Sequence, residues 1–316
     1  MEPYPTKAVT AVPPASDSAV NGCFSPEGRR RRVRLFALFA LLLCAAFALP
    51  LADLGQFAFK SDLYSFILLV PIISAYLVWR QRQLFPARLV SSPALAVTAL
   101  AIGAAALGLL LAFSTRGGSL PPVDRLSLQT FAFLCFLVSG AFLSFGRQAL
   151  RPIVFAVAFL VFMVPMPTFL THWLEVCLQH ASAEAAAVLF AVTGTTVSRQ
   201  GLTFQLTGVA VEVAEECSGI HSSLVLFITS VIGGHLLLRS NVSRVVLALA
   251  VVPLAIARNG FRIYVLAALA SAVDPAIMQS PLHRRGGPLF FVMSLVPFLA
   301  LLWILVKLER KKQTSL

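Results

Sequence analysis

One short run concentrates groups able to do nucleophilic chemistry: Glu215-Glu216-Cys217-Ser218-Gly219-Ile220-His221-Ser222-Ser223. It stands at the start of an apolar stretch, 218–238, so Cys217 falls at the N-terminal end of a predicted helix. The positive end of a helix dipole favours the thiolate, which is the nucleophilic form of cysteine. Ser218 also suits the bland role of N-cap to the same helix. Glu215 and Glu216 oppose ionisation of the thiol unless a cation is near, and they are equally readable as solvated charges at a helix entry or as substrate-recognition groups with Glu212.

A cation is at hand in Ala257-Arg258-Asn259-Gly260-Phe261-Arg262-Ile263, within the apolar stretch 245–265. An arginine inside a membrane span is costly and marks a functional site, unless it merely snorkels to the interface. From Arg244 at the inner edge, about 1.5 Å per residue places Arg262 roughly 27 Å across, level with Cys217. Arg258 lies one turn deeper on the same face, and Asn259, three residues before Arg262, shares it as well. The third group is His283, in the loop Ser280-Pro281-Leu282-His283-Arg284-Arg285 between the last two spans. A thiol, a histidine base and an arginine near the developing oxyanion suffice for acyl transfer. His221, one turn after Cys217, is the second candidate base. His235, Cys44 and Cys135 read as structural, and His172 and His180 fall in a segment of open assignment.

These groups need a scaffold in the bilayer. Of 316 residues, 58% are hydrophobic and 12% charged, and mean hydropathy is +0.87. A soluble domain is nearer half apolar and a quarter charged. A spanning helix needs about 20 apolar residues, and candidates lie at 35–52, 63–79, 93–113, 126–145, 152–166, 218–238, 245–265 and 288–306. The chain is therefore expected to be an all-α polytopic membrane protein with about eight transmembrane helices. Ala46-Phe47-Ala48 could pass as a signal cleavage site, but 35–52 is kept as the first span. Residues 1–34 read as a flexible basic cytoplasmic tail, 35–306 as the membrane domain and 307–316 as a second basic tail. Residues 168–193 are moderately apolar but carry His172, Glu175, His180 and Glu184, which fits an interfacial or re-entrant helix, or a tight pair of crossings; a further span would invert everything downstream. In 195–214 the apolar residues alternate, predicting short strands outside the bilayer core. Together these form a short extracytoplasmic helix and strand insertion before span six.

The net charge of +12 follows from topology rather than nucleic-acid binding. Seventeen of the 25 basic residues fall in segments on one side of the eight-span arrangement, the expected signature of cytoplasmic loops. Both termini are then cytoplasmic and Cys217 faces outward. The odd set of five cysteines is not a disulfide framework, and no Cys or His spacing suits zinc. No metal and no cofactor is expected.

The run around Cys217, then Asn259-x-x-Arg262 in the next span, then His283 and Gly287 before the last, resembles the exosortase/archaeosortase family. Trp79-Arg80 after Pro71, and Phe162-Met163-Val164-Pro165-Met166-Pro167, are similar too. The resemblance covers roughly residues 35–306. It implies a bacterial inner-membrane cysteine protease or transpeptidase, with Cys217, Arg262 and His283 as the catalytic set and Asn259, Ser218, Glu216, Arg258 and His221 in support. Its implied substrates are exported proteins with a C-terminal sorting signal: a short motif such as Pro-Glu-Pro, a transmembrane helix and a basic tail. The acceptor for the cleaved chain is unknown. His221 stands where many relatives have arginine. Two other readings remain: an intramembrane protease with Ser218 as nucleophile, lacking the Gly-x-Ser-Gly pattern, and a transporter or lipid flippase using Arg258 and Arg262 as an anion site, without the internal repeat such proteins often show.

Overall fold

The computed structural model describes residues 26–86, 89–214, 218–274, 276 and 287–314. The chain divides into two units, one of residues 1–59 with 67–165 and the other of 60–66 with 166–316.

The first unit opens with α1 (Pro26–Ala46) and α2 (Ala48–Lys60), which meet at a 72° bend. Residues 35–52 are thus not one straight span. Pro50 lacks the N–H that would bond the Ala46 carbonyl, and its ring crowds that turn. At its other end α1 reaches back through the basic block to Pro26, within what the sequence reads as a flexible tail. Proline in the first turn and Glu27 beside it favour a helix start there. Arg32 fastens this end by donating to the carbonyls of Leu89 (2.9 Å) and Ser144 (3.3 Å). Next come a 3-10 turn (Ser65–Leu69), α3 (Val70–Arg80), a second 3-10 turn (Arg82–Leu84), α4 (Pro93–Thr115) and α5 (Pro122–Ser144). Helices α4 and α5 pack along each other. The short α6 (Gly146–Leu150) and α7 (Val154–Phe159), with a 3-10 turn to Met163, close the unit.

The second unit holds α8 (Thr168–Val192), strands β1 (Ser198–Gln200), β2 (Thr203–Leu206) and β3 (Val209–Glu212), then α9 (Ile220–Leu237), α10 (Asn241–Ala272) and α11 (Gly287–Thr314). The strands pair antiparallel in sequence order, with Phe204 opposite Val211 and Leu206 opposite Val209. The alternation that predicts them puts Phe204, Leu206 and Val211 on one buried face, against Ala183, Ala186 and Phe190 of α8 and Ile263 and Ala267 of α10. Phe190 meets Tyr264 edge-on at 5.1 Å. At the edge of that face Arg199, opposite Phe204, pairs with Glu184 of α8 at 2.7 Å, and that hydrogen bond holds the Arg199 guanidinium above its ordinary pKa.

Among the described residues, six helices are long and apolar enough to cross a membrane, or seven if the bent α1–α2 pair counts as one span. The protein is a helical, multi-pass membrane protein with one small sheet. The span inventory differs from the eight read in the sequence at three places. Over the expected span 63–79, Ser65–Arg80 is a 3-10 turn followed by an 11-residue helix, and falls among the shorter apolar helices. The stretch Val154–Met163 forms only 10 helical residues, about 15 Å against a ~30 Å hydrocarbon core. Helix α8, read as an interfacial or re-entrant helix or a tight pair of crossings, is one helix 25 residues long and passes by length and composition.

Gly260 sets how closely α8 and α10 approach. A Cβ there would lie 2.5 Å from the Ala185 Cβ and 3.1 Å from the Ala185 carbonyl carbon. Alanine gains about 1 kcal/mol of helix propensity over glycine, but overpacking costs about 1–3 kcal/mol. Because the clash includes backbone, Gly260→Ala is expected to lower the unfolding midpoint in detergent. An unchanged or raised midpoint would show that the helices separate at no cost.

Candidate active site

The start of α9 is built around one glycine. Gly219 is its N-cap, with φ 73° and ψ 17°, a left-handed conformation that side chains other than glycine adopt at a cost. Ser218, expected at this cap, lies one residue earlier and is 1% exposed. The difference has a physical reason: the chain must turn sharply beneath α10, and a Cβ at 219 would stand 3.0 Å from the Asn259 Oδ1 and 3.1 Å from the Arg258 Nη2.

The Gly219 carbonyl is a focus of donors. The backbone N–H of Ser223 reaches it at 3.0 Å, and the hydroxyls of Ser222 and Ser223 at 3.0 and 2.8 Å. From α10, Arg258 Nη2 donates to the same oxygen at 3.3 Å and to Ser223 Oγ at 3.4 Å. Arg258 is buried at 8% exposure, and Asn259 beside it at 2%. The hydroxyl of Ser218 and the Nη1 of Arg258 are buried without a hydrogen-bond partner among the described residues. An orphaned donor of this kind costs about 1–3 kcal/mol, so the guanidinium keeps unused hydrogen-bonding capacity at the helix N-terminus.

The segment leading to this turn is fastened at its other end. Gln179, buried in α8, donates from Nε2 to the Val213 carbonyl at 2.6 Å, and the Val213 N–H bonds the Leu202 carbonyl at 3.1 Å. The described residues on the two sides of this run are thus each held, Val213 by Gln179 and Gly219 by Arg258. Glu215, Glu216 and Cys217 lie outside the described residues, as does His283.

Among the other expected residues, Arg262 is half-buried on α10 one turn beyond Arg258, and like-charge repulsion couples the two. His221 is exposed in the first turn of α9 and senses the charges of Asp62 and Arg258. His172 and His180 are exposed on α8. Among the described residues, no group of three or more His, Cys, Asp and Glu side chains could hold a metal ion. Gln179, and the roles of Ser223 and Gly219 within the run, are what reading the sequence passed over. Each acts through a backbone carbonyl or a backbone angle, and neither has a residue-type signature.

Arg258, Asn259 and Gly219 thus converge where the sequence run containing Cys217 enters its helix. The family model for transmembrane exosortases matches residues 58–300, well over half of the chain. No curated protein and no solved structure matches.

Proposed function

The chain belongs to the transmembrane exosortase family, which makes it a membrane protease or transpeptidase of that type, and from that premise we propose that it cleaves C-terminal sorting signals through a thioester on Cys217. The observation that carries this is the buried Arg258 guanidinium, which bonds the Gly219 carbonyl two residues after Cys217 and keeps an unused donor there. A cation and a helix N-terminus together favour a thiolate at that point in the chain.

The chemistry is acyl transfer. The Cys217 sulfur attacks the scissile carbonyl carbon, and the electron pair moves to oxygen. Arg262 and Arg258 supply positive charge for the thiolate and the oxyanion. His283 protonates the departing amine, which leaves with the substrate's transmembrane helix and basic tail. The resulting thioester is resolved by an amine, a hydroxyl or water, which His283 deprotonates. Glu212, Glu215 and Glu216 recognise the substrate or orient His283. The protein sits in a bacterial inner membrane, with both termini in the cytoplasm and the site outside. Ser218 is a poor alternative nucleophile, because at 1% exposure no substrate carbonyl reaches it.

Hydroxylamine tests the thioester. Membranes carrying the protein and a tagged reporter with a Pro-Glu-Pro-type signal are treated with it, and the new reporter C-terminus is read by mass spectrometry. The expected product is a C-terminal hydroxamate that replaces the natural product as hydroxylamine rises. Cleavage that yields only the free carboxylate at every concentration would overturn the thioester.

A further inference from the structure

A cavity of about 620 Å³ lies inside the first unit, far larger than a packing defect and within the range of ligand sites. Its walls come from α1, α3, α5 and α7 and are almost wholly apolar, with Phe36 and Phe145 meeting edge-on at 5.0 Å on one side. Three polar side chains interrupt them. Arg29 and Arg82 line the cavity from separate elements, and Ser74 lies within it at 4% exposure, its hydroxyl without a hydrogen-bond partner among the described residues.

The two arginines are not spent on the fold. Their neighbour Arg32 is committed to the carbonyls of Leu89 and Ser144. Arg29 has no ion pair or hydrogen bond among the described residues. Arg82 has only the face of Trp79, 4.9 Å from the ring centroid, which holds its guanidinium in place. Two like charges facing one cavity repel each other until an anion lies between them, and arginine pairs readily with phosphate oxygens. An apolar slot of this size and a phosphate-binding mouth describe one amphiphile. We propose that this cavity is a binding site for an anionic phospholipid, with acyl chain against α3, α5 and α7, phosphate between Arg29 and Arg82, and a lipid oxygen accepting from the Ser74 hydroxyl.

Charge selects this occupant over the helix of a sorting signal. Such a helix carries a basic tail, which would meet Arg29 and Arg82 with the wrong sign. Basic pockets between transmembrane helices commonly hold acidic headgroups. The site owes nothing to Cys217 and stands whether or not the thioester chemistry does.

The test uses the full chain, delipidated in neutral detergent and given back phosphatidylglycerol, phosphatidylethanolamine or inorganic phosphate. Native mass spectrometry counts retained lipid, and the thermal midpoint reports stabilisation. One phosphatidylglycerol is expected to be retained with a raised midpoint, phosphatidylethanolamine roughly tenfold more weakly, and phosphate without effect. Arg29→Gln with Arg82→Gln, both at exposed positions, should cut the preference for the anionic lipid by roughly tenfold, about 1.4 kcal/mol for the two arginines together. Ala75→Trp, exposed and lining the cavity, should block retention while the arginines remain. Equal retention of the two lipids, stabilisation by phosphate alone, or an unchanged preference in the double variant would each overturn the assignment.

Discussion

Cys217→Ala is expected to leave a sorting-signal reporter uncut, with full-length precursor accumulating and processing down by at least about 10³-fold, as for loss of a nucleophile elsewhere. The expectation follows from the proposed division of labour. Arg258, Arg262 and His283 lower barriers around a bond that Cys217 forms, so without the sulfur they have nothing to assist. Cys217→Ser should fail almost as completely, because a hydroxyl is scarcely ionised at neutral pH whereas a thiol beside a cation and a helix N-terminus is. Ser218→Ala is the matched control. It removes a buried hydroxyl with no partner among the described residues, so processing should persist and stability hold or rise slightly. Normal cleavage by Cys217→Ala ends the nucleophile assignment. Cleavage by Cys217→Ser that is lost on adding Ser218→Ala would move the chemistry to serine.

What the sequence reveals here depends on whether the signal is local. The strand region is legible because Phe204, Leu206, Val209 and Val211 alternate around glycines, and period two admits no helical reading. The start of α9 is legible because the residue types before it are unusual at the mouth of a span. Its cap is not, since Ser218 and Gly219 are both acceptable N-caps and only the packing of Asn259 and Arg258 decides between them. Span counting fails where apolarity and geometry part. Residues 152–166 are apolar enough, yet Pro165 and Pro167 and the 3-10 turn before them leave a helix too short to cross. Residues 168–192 look too polar, yet form an unbroken helix, because Gln179 spends its amide on Val213 and Glu184 its carboxylate on Arg199. Counted from Arg244, the helical rise puts Arg262 at the outer end of a span that closes near residue 265. The helix instead runs 32 residues, and Ile263 and Ala267 pack under the sheet. That places Arg258, one turn nearer the inner edge, against the start of α9.

Arg258 therefore carries the second large effect. Arg258→Met is expected to lower kcat by roughly 10²-fold or more, the range for loss of one preorganised electrostatic donor, with KM little changed and the protein still folded. A buried charge replaced by an apolar side chain of similar length is often neutral or stabilising, so the thermal midpoint in detergent should hold within a few degrees. Lysine keeps the charge but presents one compact ammonium in place of a planar fork. Its single nitrogen cannot sit at the Gly219 carbonyl and Ser223 Oγ and also present a donor where Nη1 stands, so Arg258→Lys should recover only part of the rate. The pH profile separates electrostatics from packing. Removing a cation near Cys217 raises the thiol pKa, so the acid limb of kcat/KM should move to higher pH in Arg258→Met and less so in Arg258→Lys. Arg262→Met is the comparison that matters, because the two residues share a face of α10 and Arg258 bonds the turn at Gly219. If Arg262→Met moves the acid limb and Arg258→Met does not, Arg258 only closes the turn and Arg262 supplies the charge.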